Sequence, residues 1–259
     1  MLETIQSVIK IAEEAGQIIL DIYHNATDLE IQSKADDSPL TKADQAANDH
    51  ICAGLKALDT VYPIISEENK QLPYAERKDF DYFWLVDPLD GTKEFIKKNG
   101  EFTVNIALIH KNTVVAGVVY APVLEEMYWA VQGEGAFIEQ NGESRKLACS
   151  AFSMNDEGLR VVCSRSHLNE ETQAYIDALQ DPSKVSKGSS LKFLILAKGD
   201  AELYPRIAPT MEWDTAAAQI VLEEAGGKVY QYGDQLPLTY NKENLLNPFF
   251  IAEGTVLAS

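Results

Sequence analysis

The stretch Trp84-Leu85-Val86-Asp87-Pro88-Leu89-Asp90-Gly91-Thr92 decides how the rest of this chain is read. An apolar run ends abruptly in two aspartates three positions apart. Pro88 fixes one backbone φ, Gly91 permits close backbone approach, and Thr92 opens a helix whose free N–H groups favour an anion. In layered α/β proteins, sites collect where strands end. Two other segments deliver acids in the same way, Ile64-Ile65-Ser66-Glu67-Glu68 and Glu212-Trp213-Asp214-Thr215-Ala216-Ala217. Carboxylates gathered in one place repel one another, which costs folding free energy. Hard divalent cations resolve that repulsion, and Mg²⁺ in particular takes oxygen ligands together with substrate phosphate.

Each segment also has a purely structural reading. Glu67-Glu68 fits a solvated turn. Asp214 fits an N-cap before the alanine run, and Asp44, three residues after Thr41, fits a capping box. The 87–92 segment is the least explained by structure alone, because a proline, a glycine and two acids around one turn form a cradle for metal and phosphate.

Working outward, residues 2–23 place Ile5, Val8, Ile9, Ala12, Ala15, Ile18, Ile19 and Ile22 at helical spacing. A second helix opens at 41–44, with Ala43, Ala47, Ile51, Leu55 and Leu58 on its apolar face. Residues 62–65 and 82–86 read as short buried strands, 103–109 and 113–121 as a hairpin, and 126–131 as a further strand before a turn at Gly133 and Gly135. The second half alternates strand and helix: strands at 159–163, 185–186, 201–204, 228–232 and 249–252, helices at 169–179, 190–198 and 215–225. This change of pattern predicts two layered subdomains meeting near residue 150, the first over 1–150 and the second over 151–259.

Composition narrows the function. The chain has 259 residues, 22 Lys+Arg against 40 Asp+Glu, and a net charge of −18. Such a field repels nucleic acid and anionic membrane, so neither is expected as a partner, and an anionic substrate needs local cations. Cys52, Cys149 and Cys163 are odd in number and widely spaced, which fits neither a disulfide framework nor a zinc ribbon. The first residues lack the basic and then apolar start of a secretory signal, and no run reaches the ~20 apolar residues of a membrane span. A cytoplasmic setting is expected.

The motifs DPLDGT with Phe95 downstream, SEE upstream and WDTAAA later resemble the inositol-monophosphatase-like, lithium-sensitive phosphatase superfamily. WLVDPLDGTKEFIKKNGEFTVNIALI, SKADDSPLTKAD, GSSLKF and LYPR are similar to its bacterial 3'(2'),5'-bisphosphate nucleotidases, the CysQ type. The likeness runs nearly end to end. One departure is Ala218, where the family usually has glycine.

The resemblance implies an αβαβα sandwich, its N-terminal α+β subdomain carrying the metal motifs and its C-terminal α/β subdomain carrying Asp214 and the nucleotide side. It implies Mg²⁺, two ions or more, on Glu67, Asp87, Asp90, Asp214 and the Leu89 carbonyl, with inhibition by Li⁺ and Ca²⁺. Asp44 and Thr92 would hold the nucleophilic water, and the Gly91 and Thr92 amides would face the scissile phosphate. Ser189, Lys192 and Arg206 would hold a second phosphate, with His167 near the nucleotide. The metal-side residues Glu67, Leu89, Asp90, Gly91, Thr92 and Asp214 would also touch substrate.

The implied reaction is hydrolysis of adenosine 3',5'-bisphosphate to AMP and phosphate, linked to sulfate assimilation, by a monomer or homodimer. Peripheral attachment to the cytoplasmic face of the inner membrane stays open as an alternative location. Inositol monophosphate or fructose 1,6-bisphosphate are alternative substrates on the same fold, and a silent metal-binding protein is a third reading. A haloacid-dehalogenase phosphatase is set aside, because Pro88 stands where its nucleophile would be.

Overall fold

Successive residues of one strand, Phe83 to Val86, belong to two different cores, and that alternation sets the layers. Phe83 and Leu85 pack in one cluster, Trp84 and Val86 in the other. A strand covered on both faces reads as continuously apolar, which is why this segment shows no polar side. The computed structural model describes residues 1–25, 32–33, 39–163 and 169–257, with backbone alone at 32, 33 and 39. His167, its neighbours Ser164, Arg165 and Ser166, and residues 34–38 of the SKADDSPLTKAD segment lie outside the described residues.

The chain opens with α1 (Leu2–Asn25), a two-residue ribbon of β1 (Gln32–Ser33) and β2 (Pro39–Leu40), and α2 (Lys42–Lys56). Then come β3 (Ile64–Ser66), α3 (Tyr74–Arg77), β4 (Tyr82–Asp90), α4 (Thr92–Ile96), β5 (Thr103–His110) and β6 (Thr113–Ala121). β7 (Glu126–Val131), β8 (Gly135–Gln140) and β9 (Glu143–Lys146) complete a seven-stranded sheet in the order β3-β4-β5-β6-β7-β8-β9. Its pairs are antiparallel except β3–β4, which run parallel.

The second half adds β10 (Ala151–Phe152), β11 (Arg160–Cys163), α5 (Glu170–Asp177), β12 (Ser183–Ser186), α6 (Leu191–Ala197), β13 (Leu203–Arg206) and α7 (Glu212–Glu224). β14 (Lys228–Gln231), β15 (Phe250–Glu253) and β16 (Thr255–Val256) follow. A five-stranded mixed sheet has the order β12-β11-β13-β15-β14, and β10 pairs with β16 beside it.

Five layers result. The apolar stripe of α1 (Ile5, Val8, Ala12, Ala15, Ile19) and that of α2 (Ala43, Ala47, Ile51, Leu55) cover one face of the seven-stranded sheet through Trp84, Val86, Ile106 and Val118. α6 and α7 fill the space between the sheets, where Leu85, Ala107 and Tyr128 meet Phe193, Ala217, Ile220 and Tyr204. α5 closes the outer face of the second sheet, Ile176 against Val161, Cys163 and Leu203. The αβαβα order stands.

α7 crosses the sheet closely because both sides are small. A Cβ on Gly117 would lie 2.6 Å from the Ala217 carbonyl oxygen, and Ala216, Ala217 and Ala218 are all buried there. Ala218, the departure from the family's glycine, is accommodated in this core.

The elements follow the sequence with instructive shifts. Leu58 lies past the end of α2 and packs only partly buried against its core. β4 runs on to Asp90 rather than stopping at Val86, and α7 begins at Glu212, three residues before the predicted start. β1, β2, β8, β9, β10, β16 and α3 are additions. All three cysteines are free.

Candidate metal centre

β4 reaches the site through an irregularity. Asp87 pairs with Asn105 and Asp90 with Thr103, so three steps on β4 oppose two on β5. Bulges of this kind re-aim side chains, and Pro88 is tolerated because a bulge does not need its missing N–H. Asp87 caps the bulge by accepting from the Leu89 N–H at 3.1 Å. Gly91 then turns the chain at φ +98°, and a Cβ there would stand 2.9 Å from the Glu101 carbonyl oxygen. Only glycine meets both demands.

β3 delivers Glu67 to the same place. The Glu67 N–H donates to the Val86 carbonyl at 3.1 Å, which extends the parallel pairing by one bond and sets Glu67 beside Asp87. Its loop is braced from α2. Ser66 Oγ donates to Asn48 Oδ1 at 2.7 Å, and Asn48 Nδ2 donates to Asn69 Oδ1 at 3.0 Å.

Asp214 arrives on the first turn of α7. It is the third residue of that helix rather than an N-cap, and its Oδ2 accepts from the Met211 N–H at 2.9 Å. Carboxylate oxygens of Glu67, Asp87 and Asp214 all lie within 4.8 Å of one another. Burial, then the charges of Glu67, Asp90 and Asp214, push the Asp87 carboxyl well above the usual carboxylate range. Asp214 is pushed up by burial and by Asp90, against the opposing Met211 N–H. Hard oxygen donors, mutually repelling and gathered at one largely buried point, fit a divalent cation.

Asp90 is placed differently. Its Oδ2 accepts from Ser189 Oγ at 2.7 Å, the Ser190 N–H at 2.6 Å and Ser190 Oγ at 2.7 Å. Ser190 precedes α6 yet makes no side-chain cap, so both serines serve Asp90 rather than the helix. The Leu89 carbonyl oxygen stands 3.3 Å from Thr92 Oγ1.

Asp44 forms the capping box and also reaches Thr92. Oδ2 accepts from the Thr41 N–H at 2.7 Å and the Thr41 hydroxyl at 2.5 Å, the capping box. Oδ1 accepts from Thr92 Oγ1 at 3.1 Å.

Cations share a cleft with two of these acids. A cleft of about 160 Å³ is lined by Asp90, Asp214 and Glu94 together with Lys93, Lys192 and Arg206. Lys192 is only 8% exposed, donates to the Ser189 carbonyl at 2.6 Å and lies 5.6 Å from the Tyr204 ring centre. Burial pushes its pKa down to about 8, with Asp90 opposing. Arg206 donates from Nη2 to the Pro209 carbonyl at 2.6 Å, while its buried Nε has no hydrogen-bond partner among the described residues.

Sequence reasoning singled out the acids and missed what holds them. Asn48, Ser66, Thr103 and Asn105 are all buried polar residues within this network. Asn48 follows Asp44 by four positions on α2, so a polar break on an otherwise apolar face was the available signal.

A profile of the inositol monophosphatase family matches residues 1–258. The chain is 44% identical to the 3'(2'),5'-bisphosphate nucleotidase CysQ of Salmonella typhimurium, over 95% of this chain and 98% of that one. It is 43% identical to the CysQ of Escherichia coli K12 with the same coverage. Among solved structures, CysQ from Bacteroides thetaiotaomicron superposes with a TM-score of 0.86 at 44% identity, covering 97% of both chains. The Thermotoga maritima inositol monophosphatase TM1415, at 22% identity and a TM-score of 0.79, shares the fold.

Proposed function

The chain belongs to the inositol monophosphatase family, and on that footing we propose that it is a metal-dependent 3'(2'),5'-bisphosphate nucleotidase. It hydrolyses adenosine 3',5'-bisphosphate to AMP and phosphate. The observation that carries the substrate is the cleft that brings Lys192 and Arg206 together with the acids Asp90 and Asp214. A substrate bearing two phosphates uses both the acids, through a cation, and the basic side chains. Inositol monophosphate has no second phosphate for Lys192 and Arg206 to hold.

Glu67, Asp87, Asp90, Asp214 and the Leu89 carbonyl would hold Mg²⁺, two ions or more, which when bound supply the charge that polarises the phosphoryl group and acidifies a water. The protein's own groups then handle the proton. Thr92 Oγ1 donates to Asp44 Oδ1 and keeps lone pairs for a water. A proton leaving that water for Thr92 Oγ1 is matched by the hydroxyl proton passing to Asp44 Oδ1. The two Thr41 donors on Oδ2 hold Asp44 in place for that role.

The Gly91 and Thr92 amides would face the scissile phosphate. Arg206 suits bidentate contact with the second phosphate and Lys192 a point charge, while Ser189 joins them only by releasing its one hydroxyl proton from Asp90. His167 is assigned to the nucleotide by the family resemblance alone. Ca²⁺ accepts irregular coordination and is expected to bind and inhibit, and Li⁺ to inhibit as well. With this substrate the activity belongs to sulfate assimilation, in the cytoplasm.

Phosphate release tests the reading directly. With Mg²⁺ present, adenosine 3',5'-bisphosphate is expected to be turned over well ahead of inositol 1-phosphate and fructose 1,6-bisphosphate, and a chelator to stop all three. A preference for the inositol ester overturns the nucleotidase reading.

A further inference from the structure

The serine pair at the start of α6 joins two acids that come from distant parts of the chain. Ser190 Oγ stands 2.7 Å from Asp90 Oδ2 and 2.8 Å from the carbonyl oxygen of Asp214, while Asn105 Nδ2 donates to it from behind at 2.9 Å. Asn105 is itself met by Thr103 Oγ1 at 3.0 Å, and Thr103 Oγ1 lies 2.8 Å from Ser189 Oγ. All four residues are at least partly buried, Ser190, Asn105 and Thr103 fully so. With one lone pair filled by the Asn105 amide, the single Ser190 proton is shared between Asp90 Oδ2 and the Asp214 carbonyl. The backbone N–H of Ser190 already donates to Asp90. β4, β5, α6 and the first turn of α7 therefore meet at one hydroxyl.

We propose that Ser190 is a positioning residue of the cation centre, its hydroxyl and amide setting the Asp90 carboxylate relative to the helical turn that carries Asp214, with Asn105 and Thr103 orienting that hydroxyl. This rests on the metal-dependent reading given above, in which Asp90 and Asp214 are cation ligands. Groups that orient ligands without touching the ion change affinity by roughly 10–100-fold when removed. Ser190 contributes no ligand. Its effect falls on how well the acids are pre-arranged.

The test is Mg²⁺ affinity of the substrate-free protein, read by calorimetry and by the Mg²⁺-dependent rise in Tm. Ser190→Ala is expected to weaken Mg²⁺ binding roughly 10-fold or more. The Mg²⁺ concentration needed for half-maximal turnover should rise with it, while KM for the nucleotide at saturating Mg²⁺ moves less than the Mg²⁺ requirement does. Ser190→Thr restores a hydroxyl and should recover most of the affinity. Asn105→Ala, which removes the donor behind Ser190, should shift affinity in the same direction by less, and it serves if Ser190→Ala fails to fold. Mg²⁺ affinity unaltered in a folded Ser190→Ala, or a loss that Ser190→Thr does not recover, overturns the proposal. A wild type that binds no divalent cation overturns the metal reading and the proposal with it. A wild type that binds Mg²⁺ but spares the bisphosphate, with Ser190→Ala still weakening Mg²⁺, overturns the substrate and sustains the positioning role.

Discussion

Two kinds of buried carboxylate share this molecule. Asp44 and Asp87 are each only 1% exposed. Asp44 is surrounded by donors, the amide and hydroxyl of Thr41 on one oxygen and the hydroxyl of Thr92 on the other. Asp87 has other acids as its main neighbours, with the Leu89 amide donating to one of its oxygens. Donors stabilise the ionised form of a carboxyl, and like charges oppose it. The same side chain is thereby suited to accept a proton in one place and, on the reading proposed above, to hold a cation in the other. Neighbours assign the role.

Removing a charge from each place should separate them. Asp87→Asn is expected to lower turnover the most, by roughly four orders of magnitude, the rate equivalent of several kcal/mol of lost metal assistance. Its cation-free Tm should stay level or rise, because a repulsive charge has gone, and Mg²⁺-dependent stabilisation should vanish. Retention of most of the Mg²⁺-dependent rate would remove Asp87 from the centre.

Asp44→Asn is expected to lower turnover by roughly 10²–10³-fold with Mg²⁺ binding kept. The amide oxygen can still accept from the Thr41 N–H, so the helix cap survives and Tm changes little. Asp44→Ala also loses that cap and should cost about 1 kcal/mol more in thermal or chemical unfolding. An Asp44→Asn enzyme that lost Mg²⁺ affinity would erase the distinction between the two acids.

In the cleft, Arg206→Ala and Lys192→Ala should each reduce kcat/KM for adenosine 3',5'-bisphosphate by roughly ten- to a hundred-fold, the value of one charge-assisted contact. Inositol 1-phosphate hydrolysis should fall far less. Equal losses on both substrates would move these cations into the general machinery of the site.

The smallest expected effect is on stability against pH. Asp87 and Asp214 have folded-state pKa values raised above the ordinary carboxylate value. Such groups favour folding while protonated, fully so below the unfolded pKa, and the gain disappears as pH rises through the raised folded values. Chelator-treated protein should therefore lose Tm as pH climbs out of the acid range, and Asp87→Asn should flatten that slope. A cation-free Tm that rises over the same interval would contradict the repulsive picture of Asp87.

What the sequence made legible follows from how each region is solvated. α1 has one wet face, so its apolar spacing is plain, and the β5–β6 hairpin has alternation and a turn. α7 is covered on both sides, with residues from Trp213 to Leu222 buried apart from Asp214, and shows no polar stripe to mark its start. Its first residue, Glu212, is fully buried and held by Lys242 Nζ at 2.6 Å and the Asn241 N–H at 2.6 Å, partners some thirty positions away. No local pattern announces such a contact. β9 is exposed along its whole length, so it carries no apolar alternation. The acids were visible because they end apolar runs abruptly. Asn105 and Thr103 were hidden, since a polar residue in a strand looks the same whether it meets water or a serine.

The wedge of α7 between the two sheets also governs the order in which a ribosome can complete this protein. By Lys146 every strand of the seven-stranded sheet has been made, and Glu67, Asp87 and Asp90 are present on the nascent chain. The face bearing Leu85, Ala107 and Tyr128 still lacks its cover, which comes only with α6 and α7. Asp214 emerges as part of that cover. A product cut short before residue 214 therefore lacks both an acid of the centre and the helix that dries the sheet, so its exposed apolar face marks it for removal.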